Sequence, residues 1–248
     1  MRLVELSRGE HGGLRIRADL VEASAASQHL VPIVVSEFRK AATQYPIVFA
    51  KNAETGRFAP YVLNGLGLGE NLFWSGTELD TAYVPLNVRR QPFYVGMSDA
   101  SDVPDTNVLC IDLDSPCLDD SGEKRIVNPD GSDSSYLGEI LSILGQLVAG
   151  KELTEQFIAT VLSLDLLAPI RLDIALDDGT PLQVTGLYGL DEDKFRQLDQ
   201  REIATKLWPT GFLDLIYAVL IASGQIFKLI RLKNQRIALR RAWHSNAS

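Results

Sequence analysis

Cysteine and histidine are scarce in this chain of 248 residues: Cys110 and Cys117 are the only thiols, and His11, His29 and His244 the only imidazoles. Two cysteines build no disulfide framework in a chain of this size and suit a reducing compartment. Their spacing does not match that of a paired zinc site. The histidines are scattered and near the ends, which argues against a His-dependent triad or a histidine-held metal. No HxD, HExxH or GxSxG occurs. Neither a metal nor a cofactor is therefore expected. Long apolar runs are missing as well. The best candidate, residues 211–227, contains Asp214 and is punctuated by Gly224, so no membrane span is expected. Near the start, Arg8, Glu10, Arg15, Arg17 and Asp19 break up any charged-then-apolar export signal. A cytoplasmic location is the expectation, and a role as a structural surface-layer component is disfavoured. Positive charge is the minority sign, 24 Lys and Arg against 32 Asp and Glu, for a net charge of −8. General nucleic-acid binding, which needs a basic surface to displace counterions, is not expected.

Apolar residues make up 46% of the chain, enough for a sizeable core. The charge is unevenly spread. Residues 99–133 carry Asp99, Asp102, Asp105, Asp112, Asp114, Asp119, Asp120, Glu123, Asp130 and Asp133. From Gly224 onward come Lys228, Arg231, Lys233, Arg236, Arg240 and Arg241, with no acid. Two solvated surfaces account for this. So does a basic terminal helix that docks on an acidic partner, or on the chain's own acidic stretch.

Residues 2–7 read as an edge strand and 14–18 as a short one. Val34, Val35, Phe38, Ala41 and Ala42 have helical spacing after Pro32, with Ser36, Glu37, Arg39 and Lys40 facing water. Residues 84–90 suit one or two helical turns before Pro92, and 93–97 pairs with 107–112 as strands. The polar segment 113–135 is a candidate subdomain boundary within a single domain. Ser134 and Ser135 cap a helix with an apolar stripe from Tyr136 to Val148, interrupted at Gly150 and continued by Leu153, Phe157, Val161 and Leu164. The alternating runs 170–176 and 182–187 flank Asp177-Asp178-Gly179, a hairpin signal pointing to a two-residue turn and a buried Ile174. Asp191 caps a helix, Pro209 opens another whose Leu213, Ile216, Tyr217, Leu220 and Ile221 face inward, and an amphipathic helix closes the chain. Hairpins early and helices late, without βαβ alternation, predict an α+β fold. A mainly antiparallel sheet would be covered by helices from the C-terminal half.

The most distinctive stretch is 45–93, where three apolar runs are joined by glycine turns. Tyr45-Pro46-Ile47-Val48-Phe49-Ala50 is a strand by composition, and Tyr61-Val62-Leu63 returns. Gly65, Gly67 and Gly69 then alternate with apolar residues. Lacking GK[ST] and a following helix, they read as turn glycines and not as a phosphate loop. Arg89 and Arg90 stand beside Tyr83, Phe93 and Tyr94 and could clamp a carboxylate or phosphate through forked hydrogen bonds. Neighbours on a helix or strand point in different directions, so one arginine should be structural and the other available to a ligand.

The runs YPIVFA, GENLFW, YVPLNVRRQPF, LCID at 109–112 and TGLYGLDEDKFRQL together resemble the SapC family of bacterial proteins, over about residues 31 to 229. The resemblance implies a protein related to surface-layer transport. It also implies genes often found near TonB-dependent outer-membrane receptors and flavin-dependent halogenases. It carries over no catalytic residue.

Two functions compete. The first is an accessory or binding protein acting with a protein or peptide partner, with Lys228, Arg231, Lys233 and Arg236 as partner-binding candidates. The alternative is an enzyme on a carboxylate- or phosphate-bearing substrate. There Arg89 and Arg90 would be the clamp, Asp112 or Asp114 the general base or a metal ligand, and Tyr83 or Tyr94 the donor. A deep pocket holding Arg89 with a perturbed acid would favour the enzyme, and a shallow surface with exposed aromatics the partner role.

Overall fold

The structure is a computed structural model and describes residues 1–97 and 107–246. The acids at 99, 102 and 105 lie outside the described residues. The first half runs β1 (Leu3–Glu5), α1 (Arg8–His11), β2 (Arg15–Ile16), α2 (Ala18–Ala23), β3 (Leu30–Pro32), a 3-10 turn (Val35–Glu37), α3 (Phe38–Ala41), β4 (Ile47–Lys51), β5 (Phe58–Leu63), α4 (Leu86–Arg89), β6 (Phe93–Met97) and β7 (Asn107–Asp112). Then come β8 (Lys124–Arg125), α5 (Ser135–Ser163), β9 (Leu167–Ala175), β10 (Pro181–Leu190), α6 (Glu192–Arg196), α7 (Gln200–Glu202), a π turn (Ile203–Leu207), α8 (Phe212–Ser223) and α9 (Ile226–Asn246). The fold is α+β. Among the described residues the antiparallel pairing is divided among three sheets, ordered β3-β5-β4-β10-β9, β1-β7-β6 and β2-β8.

Two apolar cores result. The larger lies on the five-stranded sheet and gathers Phe38, Phe49, Phe157 and Phe212; the smaller gathers Ile16, Phe93, Ile111, Ile126 and Leu137. Helix α5 serves both. Its first turns bury Leu137, Ile140 and Leu144 in the smaller core, and its last turns bury Phe157 and Val161 in the larger. This explains its 29 residues. The expected interruption at Gly150 is absent, because the glycine is there for packing. A Cβ at Gly150 would stand 2.7 Å from Val34 Cγ2 and 2.8 Å from Val34 Cβ. One turn on, Thr154 Oγ1 accepts from the Val35 amide at 3.0 Å and donates to the Gly150 carbonyl at 2.6 Å. Gly150→Ala therefore sets a helix-propensity gain of about 1 kcal/mol against overpacking of about 1–3 kcal/mol on a stiff β-branched neighbour. The expected result in thermal melting is a loss of a few degrees, where an exposed helix glycine would give a gain.

The glycine-alternating run of 45–93, residues 64–74, is a loop. Asn71, 1% exposed, turns it by accepting from the Phe73 amide at 2.9 Å while its own amide donates to the Ala25 carbonyl at 2.9 Å. Gly65 is required there, since a Cβ would collide with the Glu70 carbonyl oxygen. The hairpin β9–β10 forms, but its turn has three residues: the Leu176 amide donates to the Thr180 carbonyl at 3.1 Å. Ile174 is only half-buried, while Leu187 is buried. Helix α8 begins at Phe212 and not at Pro209, and its Tyr217 and Ile221 are 51% and 70% exposed, against the expectation that both face inward. By length and composition, Phe212–Trp243 includes a stretch apolar enough to cross a membrane, with 28% of that window buried. In the fold it is two helices, broken at residues 224–225, with Ile216, Val219, Ala222 and Leu229 in the larger core.

Candidate binding groove beside Arg90

Helix α4 is built on a buried carboxylate. Glu37, expected to face water, is 2% exposed. Its Oε1 accepts from the Leu86 amide at 2.9 Å and the Tyr83 hydroxyl at 2.8 Å, and its Oε2 from the Val34 amide at 2.9 Å. Burial pushes its pKa up; those three hydrogen bonds and the charge of Arg89 pull it back without cancelling the rise. Burial, with Glu37 beside it, also raises the Tyr83 phenol well above its ordinary value. Tyr83 is thus a structural donor, and its carbonyl accepts from the Tyr45 hydroxyl at 2.6 Å.

The two arginines that follow divide as adjacent helical positions do. The Arg89 side chain is exposed and makes no hydrogen bond or ion pair among the described residues. Arg90 is folded inward. Its Nε donates to Asn87 Oδ1 at 2.8 Å and its Nη1 to the Phe93 carbonyl at 2.7 Å. Its guanidinium lies 4.0 Å from the centre of the Tyr94 ring, whose hydroxyl donates to Gln91 Oε1 at 3.1 Å. Burial lowers the Arg90 pKa, with Tyr94 opposing; a guanidinium stays charged regardless. Nη2 makes no hydrogen bond among the described residues and is not a buried orphan. The Arg90 side chain is thus held by the fold while that of Arg89 reaches solvent.

Arg90 and Tyr94 line an open groove of about 520 Å³ between β6 and α5, with Asn87, Val148 and Lys151 among its other walls. β6 is the edge of its sheet, paired only with β7 among the described residues. Val148 is 41% exposed and Met97 62%, so the groove offers apolar surface next to two cations. Lys151 and the outward half of the α5 stripe were not legible as site residues. The one hint was the width of the stripe, since Leu141 and Val148 share it yet both reach solvent.

The acids are elsewhere. Asp112 Oδ1 accepts from the amides of Arg2 at 2.8 Å and Asp114 at 3.1 Å. Asp114 pairs with the Met1 ammonium at 3.2 Å and Arg2 Nε at 3.6 Å. Neither forms an ion pair with Arg89 or Arg90. Among the described residues no cluster of three or more His, Cys, Asp or Glu could hold a metal ion.

The basic helix also departs from expectation. Lys228 Nζ donates to Gln44 Oε1 at 2.8 Å and lies 4.9 Å from the Phe73 ring centre. Lys233 pairs with Glu70 at 2.6 Å. Arg236 Nη2 donates to the carbonyls of Asn71 at 2.8 Å and Trp74 at 2.5 Å. These three dock α9 on the chain's own 70–74 turn. Arg231 alone of the four stays exposed without a partner among the described residues, beside a shallow groove with Phe227 and Asp177.

A family model described as SapC matches residues 6–229. The chain belongs to the SapC family. No curated protein and no solved structure matches it. The SapC match spans the Arg90 groove and the buried Glu37, and it ends inside α9, before Lys233 and Arg236.

Proposed function

We propose that this SapC-family chain is a cytoplasmic binding or accessory protein, and that a partner segment bearing a carboxylate beside apolar side chains lies in the Arg90 groove. The observation that carries the reading is Arg90 itself, pre-set by Asn87, Phe93 and Tyr94 with one guanidinium edge left over, above an apolar wall and near Lys151. A fixed guanidinium loses little freedom on capturing a carboxylate. Trp208, Phe227 and Trp243, each more than 70% exposed, further favour a partner role. The two cysteines are free and buried, with burial pushing both thiols up, which suits a reducing compartment. The enzyme reading loses support because Asp112 and Asp114 are committed near Met1 and Arg2, and Glu37 is sealed by three donors.

The test is co-purification of the tagged protein from its native host, quantified by mass spectrometry, for wild type, Lys151→Glu and Val148→Glu. Both substitutions sit on solvent-exposed helix surface and should leave the melting temperature within about 2 °C. A specific partner captured by wild type should fall roughly tenfold with either variant and weaken with salt. Equal capture by all three proteins would refute a groove-bound partner.

A further inference from the structure

A second concavity lies under the hairpin β9–β10, and none of its residues belongs to the Arg90 groove. It is a cavity of about 220 Å³ between the five-stranded sheet and α8, walled by Val48, Leu63, Ile170, Leu187, Val219 and Leu220. On β4 the side chain that shares this face is sealed, Val48 at 4% exposure. On β9, Ile170 and Leu172 of the same sheet remain half-buried. The difference follows from the backbone. β10 carries a register shift between Val184 and Leu187, with Gly186 at φ 81°, and such a bulge bends its strand. The bent hairpin and α8 therefore leave space that their side chains do not fill.

That space has the character of a ligand site. Empty apolar volume is costly, and a dry cavity of about 150 Å³ suffices to bind benzene. Only two of the lining residues have polar side chains, Glu192 and Ser223. The Ser223 hydroxyl donates to the Leu220 carbonyl at 2.7 Å, leaving its oxygen as an acceptor. Glu192 is exposed and pairs with Arg196 at 2.6 Å. Both polar groups thus present acceptors, which disfavours an anion.

We infer that this cavity binds a compact apolar molecule of about one aromatic ring with a short chain, uncharged or carrying one cationic group directed at Glu192 and Ser223. Three probes of one shape test it: ethylbenzene, phenethylamine and phenylacetate. The first two should raise the melting temperature by roughly 3 °C at about ten times their dissociation constants, and phenylacetate should bind at least fivefold more weakly than phenethylamine. Methyl NMR of the wild-type protein should show shifts concentrated at Ile170, Leu187 and Val219. Ser223→Phe, at an exposed helix end, should fill the mouth and abolish binding. Glu192→Gln should keep ethylbenzene binding and lose the preference for the amine over the acid. The inference is overturned if ethylbenzene does not bind, if the methyl shifts fall away from the hairpin, or if a folded Ser223→Phe variant binds as wild type does. The NMR arm decides the matter even if that variant misfolds.

Discussion

Glu37→Ala is expected to lower the melting temperature by about 10 °C. The substitution removes one carboxylate but strands three donors: the amides of Val34 and Leu86 and the Tyr83 hydroxyl. Each buried donor left without an acceptor costs about 1–3 kcal/mol, and some of the three will find water, so a total near 3–5 kcal/mol is expected. For a chain of this length that is roughly 10 °C. Glu37→Gln should cost less, because the amide oxygen still serves Leu86 and Tyr83, but the Val34 amide then faces another donor. Comparing the two proteins across pH isolates the charge. Burial raises the folded-state pKa of Glu37 above its ordinary 4.5. Between those two values the folded protein holds a proton that the unfolded chain has released. The stability contributed by that proton is fully present below 4.5 and is lost as pH rises through the raised value. The melting-temperature advantage of wild type over Glu37→Gln should therefore grow as pH falls from 7 towards 4.5. An advantage that shrinks on acidification would show that the hydrogen bonds, and not burial, set this carboxylate's pKa.

The sequence disclosed those elements whose signal is local. The alternation of 170–176 and 182–187, the capping Ser134 and Asp191, and the strand pair 93–97 and 107–112 need only neighbours in the chain to be read. What it concealed depends on distant contacts. Glu37 has the spacing of a solvent-facing helical residue, yet its position is decided by Leu86 and Tyr83, more than forty residues away. Gly150 looks like a helix break because propensity is a local quantity, whereas its value lies in the approach of Val34. The site was half legible for the same reason. Arg90 and Tyr94 are close in sequence and can be read together from it. Lys151 and Val148 come from the other wall, which only the packing of α5 beside β6 brings near. Asp112 and Asp114 stand out by their chemistry alone, and the fold engages them with Met1 and Arg2.

Changing Lys233 and Arg236 together to Glu should cut the melting temperature by roughly 5–10 °C, while Arg231→Glu should move it by less than about 2 °C. The three cations are alike in sequence and differ in what they meet. Lys233 is 25% exposed against a Glu70 carboxylate that is 15% exposed, so water screens the pair poorly. Reversing it sets two carboxylates face to face. The Arg236 guanidinium caps the Asn71 and Trp74 carbonyls, and a carboxylate there would oppose two acceptors. Breaking a partly buried charged contact by removing one side costs about 3 kcal/mol. The partner-docking expectation for this helix assigns all the cations to one external surface, and so predicts similar effects of reversing any of them on association and none on stability. Docking on the acidic stretch 99–133 would be relieved by reversing acids there, whereas docking on the 70–74 turn is answered by Glu70→Lys in the Lys233→Glu background. That charge swap should restore several of the lost degrees. If the double reversal leaves the melting temperature unchanged, α9 is not held by this turn; if Arg231→Glu costs as much as the double, its charge is also structural and the division among the cations fails.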